Sequence, residues 1–265
     1  MLIGYARTST VDQVAGLEAQ EAALDALLDL HQLVVARTQI AGETRLSTTI
    51  FEQATKQEYR VVAPGPQIEE TEWQECLDRL AMAEGAYIVA SGSLAPGLPD
   101  DFYGRVARVA DEKGARFVLD SSGRGLAGGL AEGGIFLVKP SLEELCELVG
   151  SPLDTEEEIA GAAREIVARG AAENVAVTMG ERGAVLANKD GVYRIAGLPV
   201  QAVSTVGAGD SFVAAMLHAI VNGRSVSEAF RFGTAAGAAA VSTPGTDLAQ
   251  AIDIERIFQE LAAPE

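Results

Sequence analysis

The segment STVGAGDSF, residues 204–212, places two glycines and an acid directly before an apolar helical pattern. Because Gly207 and Gly209 carry no side chains, the backbone can approach an anion closely, and the amides of a helix's first turn stabilise negative charge. Asp210 follows, and a carboxylate at this position can accept the proton of an attacking hydroxyl group. The segment is therefore compatible with a phosphoryl-transfer site. Taken alone, however, it favours the plain alternative, a glycine turn in which Asp210 caps the helix.

Further motifs accompany this segment in a regular order along the chain. They are QEYRVVAPG, IVASGSLAPG, FVLDSSG, LVKPSLEEL, VTMGERGAV and RFGTAAGAAAVSTPGT. With STVGAGDSF they resemble the successive motifs of the ribokinase-like, or PfkB, carbohydrate kinases, and among these the minor-type 6-phosphofructokinases. The resemblance implies a ribokinase-like three-layer α/β/α fold with a mostly parallel central sheet. It also implies that the protein uses ATP and Mg²⁺ to phosphorylate a primary hydroxyl of a phosphorylated ketohexose. Nucleotide binding without efficient catalysis is the alternative.

The resemblance assigns roles to the residues around the glycine loop. It makes Asp210 the catalytic base, and it makes Gly207, Ala208 and Gly209 the source of amides that stabilise the transition state. The local chemistry of the segment agrees with these roles independently.

The nucleotide site is implied by two other motifs. VTMGERG resembles the nucleotide-binding turn of the family, with Thr178, Gly180 and Gly183 as its expected contacts, although a simple hairpin has the same pattern. The small residues of TAAGAAAVSTPG resemble the wall beside the adenine, which would include Gly237 and Ala240. These residues suit close helix packing equally well.

Cation sites are implied by two loops. In KPSLEEL the family usually has Asn at the position of Ser141, and Glu144 corresponds to the acid that organises Mg²⁺ and phosphates. Ser and Glu at this spacing also form a helix capping box, which needs no metal. A potassium-type site would use the loop around Ser204 and Val206 with the segment 240–245.

Sugar contacts are expected in SGSLAPG and GETRLST. Ser91 and Ser93 end a predicted parallel strand, where open α/β sheets bind ligands. The resemblance places this loop against the sugar. Arg45 resembles the basic residue that meets the sugar phosphate, and its planar guanidinium suits that role.

The opening of the chain departs from the kinase pattern. Residues 1–26 resemble the start of serine recombinases, in which Ser9 would be the nucleophile, although the rest of a recombinase has no counterpart here. The expectation is a strand-helix unit at 1–30 packed on a kinase domain at 31–265. The sugar-binding segment and part of the lid that usually begin the family would then be missing, so activity would be impaired.

Hydrophobic periodicity predicts the elements that position these residues. A strand at 2–6 and a helix at 16–30 precede three strand-like stretches at 33–38, 48–53 and 59–65. The pattern then alternates between strands and helices, which predicts parallel strands with crossover helices. Its strands are 87–91, 117–122, 135–140, 175–180 and a hairpin at 184–197, and its helices are 69–84, 100–114, 142–150, 156–170, 210–222 and 226–241.

Composition excludes several other classes of protein. The formal net charge of −18, from 38 acidic and 20 basic residues, argues against a nucleic-acid partner. The sequence has no apolar run of the about 20 residues that span a bilayer and no secretion signal, so a cytoplasmic protein without membrane partners is expected. Two cysteines, Cys76 and Cys146, are too few for a disulfide framework or a four-ligand zinc site. Assembly as a homodimer is left open.

Overall fold

The structure is a computed structural model that describes residues 26, 28–30, 32–42, 45, 47–52, 57–243 and 247–261. The predicted strand at 2–6, most of the predicted helix at 16–30 and Ser9 lie outside these residues, whereas residues 26 and 28–30 are helical. The chain divides into two compact units, which are described separately. The first contains residues 1–85 and 94–99, and the second contains 86–93 and 100–265.

The described part of the first unit contains a two-stranded antiparallel sheet, the helical residues 26 and 28–30, and a longer helix. Strands β1 (Ser47–Glu52) and β2 (Gln57–Val62) pair in the register Ser47 to Val62. The predicted third strand at 33–38 is wrong, because only residue 35 of this stretch makes a bridge. An apolar run forms a strand only where a neighbouring backbone satisfies its hydrogen bonds. Helix α1 (Glu70–Met82) begins with a capping box and buries Trp73.

The second unit is built on a six-stranded sheet in sequential order. Of the five pairings between neighbouring strands, the first three are parallel and the last two are antiparallel, so the expectation of a mostly parallel sheet is confirmed. The strands are β3 (Tyr87–Ser91), β4 (Arg116–Asp120), β5 (Ile135–Val138), β6 (Ala172–Thr178), β7 (Ala184–Asn188) and β8 (Gly191–Ile195).

Helices cover both faces of this sheet. Val118 belongs to a buried cluster with Phe212 and Met216, whereas its neighbour Leu119 lies against Gly129. Since successive side chains of a strand point to opposite faces, these contacts define three α/β/α layers. The helices are α2 (Phe102–Glu112), α3 (Gly123–Glu132), α4 (Leu142–Val149), α5 (Glu156–Ala168), α6 (Ala208–Val221), α7 (Val226–Val241) and α8 (Ala251–Glu260).

Periodicity missed two helices, α3 and α8. The sequence of α3, GRGLAGGLAE, contains four glycines, each of which disfavours a helix in isolation. Close packing explains two of them. A Cβ on Gly128 would overlap the Asp100 carbonyl oxygen, and one on Gly129 would lie 2.6 Å from Leu119 Cδ2. Tertiary packing therefore favours glycine at positions where helix propensity disfavours it.

Gly128→Ala is expected to lower the free energy of unfolding by about 2 kcal/mol or more, because the added methyl group cannot be placed without moving the backbone at Asp100. Gly161→Ala is the matched control. Gly161 is also helical, but no atom lies within 4 Å of its added Cβ. The control should therefore gain about 0.5–1 kcal/mol from helix propensity. Urea denaturation measures both changes, and equal effects would contradict the packing explanation.

Within the described ranges, every helix is too short or too polar to cross a lipid bilayer.

Candidate active site

The glycine loop leads directly into helix α6. Gly207 caps the helix with φ of 76°, a left-handed conformation that favours glycine. The amide of Ser211 donates to the Gly207 carbonyl at 2.9 Å, so the amides of residues 208–210 precede the first helical hydrogen bond. The alternative in which Asp210 caps the helix is wrong, because Asp210 is the third residue of α6. The geometry is that of an anion-binding helix start.

Asp210 meets the end of strand β3. The Ser91 hydroxyl donates to Asp210 Oδ1 at 3.2 Å, although the two residues are 119 positions apart. Both side chains are exposed, so a hydroxyl of a bound molecule can reach this carboxylate. The structure therefore brings the expected base and one expected sugar-binding serine together.

A buried ion pair lies beneath the same helix turn. Lys139 Nζ lies 3.1 Å from Asp120 Oδ1, and the two side chains are only 6% and 14% exposed. A Cβ on Gly209 would lie 3.1 Å from Lys139 Nζ and 3.8 Å from Asp120 Oδ2. Gly209 therefore lets the first turn of α6 approach the pair closely.

Sequence reasoning missed Asp120 and Lys139. A signal for them exists, because Asp120 ends strand β4 and Lys139 directly follows β5. These are neighbouring parallel strands, and their carboxyl ends meet at the same edge of the sheet.

The charge environment of Asp120 connects the pair to two other acids. Burial raises the pKa of Asp120, Lys139 opposes this effect, and Asp210 and Glu144 raise the pKa further. Three carboxyl groups therefore act on one another at this edge of the sheet, with Lys139 as a buried counter-charge. The negative charge of these carboxyl groups attracts cations, and it also favours the protonated form of Asp120.

Ser141 and Glu144 form the capping box that opens α4. The Ser141 amide donates to Glu144 Oε2 at 2.7 Å, and the Glu144 amide donates to Ser141 Oγ at 3.2 Å. The capping alternative is thus present in the structure. Among the described residues no group of three or more His, Cys, Asp or Glu side chains is arranged to hold a metal ion. A site that uses one or two carboxylates with phosphate oxygens is still compatible with this geometry.

The expected nucleotide turn follows strand β6. The Thr178 amide donates to the Pro140 carbonyl at 3.1 Å, and Thr178 forms a parallel bridge with Ser141. A Cβ on Gly183 would overlap the Ile195 carbonyl oxygen, whereas nothing lies within 4 Å of one on Gly180. The hairpin therefore explains Gly183, and Gly180 lies in an open turn beside the loop that carries Ser141.

The remaining expected nucleotide and cation residues lie around α7. Ala240 is buried, and a Cβ on Gly237 would lie 3.4 Å from the Ala208 carbonyl, so packing of α7 on α6 accounts for their small size. Ser204 is buried, and its amide donates to the Val241 carbonyl at 3.2 Å. The loop before α6 is thus tied to the end of α7. Residues 244 and 245 of the expected cation segment lie outside the described residues.

The other two expected sugar contacts lie in different units. Ser93 belongs to the second unit, two residues after Ser91, and Arg45 is an exposed residue of the first unit.

Comparison with known proteins identifies the family. The model of the pfkB family of carbohydrate kinases matches residues 16–252. The chain belongs to this family. It is 45% identical over 227 residues to the ATP-dependent 6-phosphofructokinase isozyme 2 of Mycobacterium tuberculosis, a match that covers 85% of this chain and 66% of that relative.

Solved structures agree with this pfkB assignment. Phosphofructokinase-2 of Escherichia coli in complex with potassium matches with a TM-score of 0.84 and 35% identity, over 91% of this chain and 79% of that one. Arabidopsis thaliana ribokinase, solved with ribose and ATP, matches with a TM-score of 0.70 at 21% identity, over 97% of this chain and 81% of that one. This last likeness concerns the fold alone, and it confirms the ribokinase-like architecture.

The comparisons do not support the recombinase resemblance of residues 1–26. The pfkB match already begins at residue 16, inside that segment. The domain boundary expected at residue 30 stays a prediction.

Proposed function

We propose that this pfkB-family kinase transfers the γ-phosphoryl group of ATP to the primary hydroxyl of a phosphorylated ketohexose, with fructose 6-phosphate as the first substrate to test. The carrying observation is the placement of Asp210 in the first turn of α6, in contact with Ser91 and above the Lys139–Asp120 pair. A base, free helix amides and a cation at one point are the parts that phosphoryl transfer needs.

The proposed reaction begins with proton transfer to Asp210. As the sugar hydroxyl attacks the γ-phosphorus, the Asp210 carboxylate accepts the hydroxyl proton, a new P–O bond forms, and the bond to the ADP oxygen breaks. The hydrogen bond from Ser91 orients the carboxylate before this step. The amides of residues 208–210 stabilise the negative charge on the transferring group, since the helix leaves them free.

Lys139 supplies positive charge beneath the anion site. Asp120 holds its ammonium group next to Gly209, where it attracts the oxygens of the transferring phosphoryl group. A compact ammonium suits phosphate binding as a point charge. Lys139 therefore neutralises charge that the exposed Asp210 would otherwise repel.

The cations belong to the same proposal. Glu144 and Asp120 would hold Mg²⁺, since they offer the hard oxygen ligands that it prefers, and the ion would neutralise negative charge on the phosphates. We assign a potassium-type cation to the loop of Ser204, because the E. coli relative was solved with potassium and this loop is tied to Val241 in the chain.

The sugar assignment rests on the relatives together with the loop after β3. The E. coli phosphofructokinase-2 has been solved in complex with fructose 6-phosphate. We assign Ser91 and Ser93 to the sugar hydroxyls, and the contact of Arg45 with the sugar phosphate stays a prediction from the sequence. We assign Thr178 and Gly180 to the nucleotide phosphates, and Gly183, Gly237 and Ala240 to the frame of the nucleotide site.

ADP release in the presence of ATP, Mg²⁺ and one sugar at a time tests this proposal. Fructose 6-phosphate should stimulate ADP release, whereas fructose, which lacks the phosphate, should stimulate it at least about tenfold less because it loses the charge-assisted contact. Fructose 1-phosphate distinguishes the position of the phosphate. ATP binding in calorimetry without ADP release for any of the three sugars would instead indicate a nucleotide-binding protein that lacks this activity.

A further inference from the structure

The backbone of Gly92 makes hydrogen bonds through both its carbonyl oxygen and its amide to other residues of the second unit. Its carbonyl oxygen accepts hydrogen bonds from the Tyr103 hydroxyl at 2.7 Å and from the Ser121 hydroxyl at 2.9 Å. Its amide donates to the Asp120 carbonyl at 2.9 Å. Gly92 lies between Ser91 and Ser93, so these three bonds determine the direction in which the loop presents its serines.

The donors are built into the core, whereas the loop is exposed. Tyr103 is 7% exposed and Ser121 is 4% exposed. Gly92 has φ of 115°, in the region that favours glycine, and no atom lies within 4 Å of a Cβ added to it. Glycine is therefore needed for the backbone conformation itself and not for close packing. Both lone pairs of the Gly92 carbonyl are used, which is the largest number that a carbonyl offers.

We propose that Tyr103 and Ser121 are positioning residues for phosphoryl transfer, because they lock the loop of residues 91–93 and so align Ser91 with Asp210. This inference rests on the proposed function. Neither residue touches the reacting atoms. Each acts through the Gly92 carbonyl, 11 residues from Tyr103 and 29 residues from Ser121 along the chain.

Two donors on one oxygen make the arrangement redundant. After the loss of either hydroxyl, the other still orients the peptide, so single changes should have small effects on catalysis, although the loop should open more often because it has lost one hydrogen bond. After the loss of both, the peptide can rotate and the serines lose their common direction. The two changes should therefore be strongly non-additive, as expected for groups that share one partner.

The test compares Tyr103→Phe, Ser121→Ala and the double variant in steady-state kinetics. Each single variant should change kcat/KM for the sugar phosphate by less than about threefold, and the double variant should lower it by about tenfold or more. The KM for ATP should stay within about twofold of wild type, because the nucleotide turn does not depend on this loop. Tyr103→Phe/Ser121→Thr keeps one hydroxyl and should behave like Tyr103→Phe alone.

The matched control is Tyr193→Phe with Ser227→Ala. It removes the same two kinds of hydroxyl, one from β8 at the opposite edge of the sheet and one from α7. It should leave both kinetic constants unchanged. Hydrogen exchange of the peptide that contains residues 91–93 gives a second measure, since it should become faster in the single variants while that of β6 does not.

The outcomes separate this inference from the proposed function. If the wild-type chain phosphorylates no sugar phosphate, the proposed function fails and the positioning role falls with it. If wild type is active but the double variant shows additive effects, or an equal rise in KM for ATP, only the positioning role is overturned. Should the double variant not fold, unchanged exchange of residues 91–93 in both single variants would overturn it.

Discussion

Asp210→Asn is expected to lower the rate of sugar phosphorylation by about 10³-fold, within the range that general-base catalysis contributes. An amide has nearly the same shape as a carboxylate, and its oxygen can still accept the hydrogen bond from Ser91. It cannot accept the proton of the sugar hydroxyl. The helix amides and Lys139 are unchanged, so the Kd for ATP should move by no more than about threefold.

Two measurements test this prediction: turnover at saturating ATP and sugar phosphate, and ATP binding by calorimetry. Asp253→Asn is the matched control, because Asp253 is the third residue of α8 as Asp210 is of α6. Both changes remove one negative charge from the first turn of a helix, but the control should keep full activity. A variant Asp210→Asn with more than about a tenth of wild-type turnover would show that another group takes the proton.

Lys139→Met is expected to lower the free energy of unfolding by about 3 kcal/mol at pH 8. Methionine keeps much of the apolar stem but removes the cation 3.1 Å from Asp120. A buried carboxylate then remains beside Asp210 and Glu144 with no counter-charge, which raises the pKa of Asp120 further.

The loss of stability in Lys139→Met should depend on pH, and the raised pKa of Asp120 gives the direction of this dependence. The folded-state pKa of Asp120 is raised above its unfolded value of about 3.9. The contribution of this group to stability is therefore fully present below that value and is lost as the pH rises through the folded pKa. The difference between wild type and Lys139→Met should thus be small near pH 4 and grow toward pH 8.

Urea denaturation at several pH values, with two further variants, checks this interpretation. Adding Asp120→Asn to Lys139→Met removes the uncompensated charge and should restore part of the lost stability. Arg79→Met is the control, because the Arg79–Glu75 pair is exposed and should contribute less than about 1 kcal/mol. A pH-independent loss in Lys139→Met would mean that the methionine disturbs packing and not charge.

The sequence predicted well those structural features that depend only on residues close together along the chain. The capping box at Ser141 and the end of strand β3 at Ser91 follow from residue types at short spacing, whereas α6 begins at Ala208, two residues before the predicted start, and β6 ends at Thr178, two residues before the predicted end. Glycine before a helix and serine three residues before glutamate have nearly the same consequences in any fold. Most element bounds followed in the same way from the alternation of periods.

Tertiary structure decided what depends on packing between distant segments. Helix α3 forms despite its glycines because Gly128 and Gly129 let it approach neighbouring elements. Residues 33–38 form no strand because an apolar stretch does not specify a partner. These outcomes depend on the surfaces that other segments present, which periodicity does not contain.

The same division holds for the site. The sequence by itself predicted Asp210 as the proposed base and an anion-binding start for α6, because both lie within one short motif. Only the tertiary structure brought Lys139 to Asp120 under Gly209, and Tyr103 and Ser121 to the Gly92 carbonyl. Those contacts arise where neighbouring parallel strands end at one edge of the sheet, so their strength comes from burial and distance in the folded chain, which no spacing along the sequence encodes.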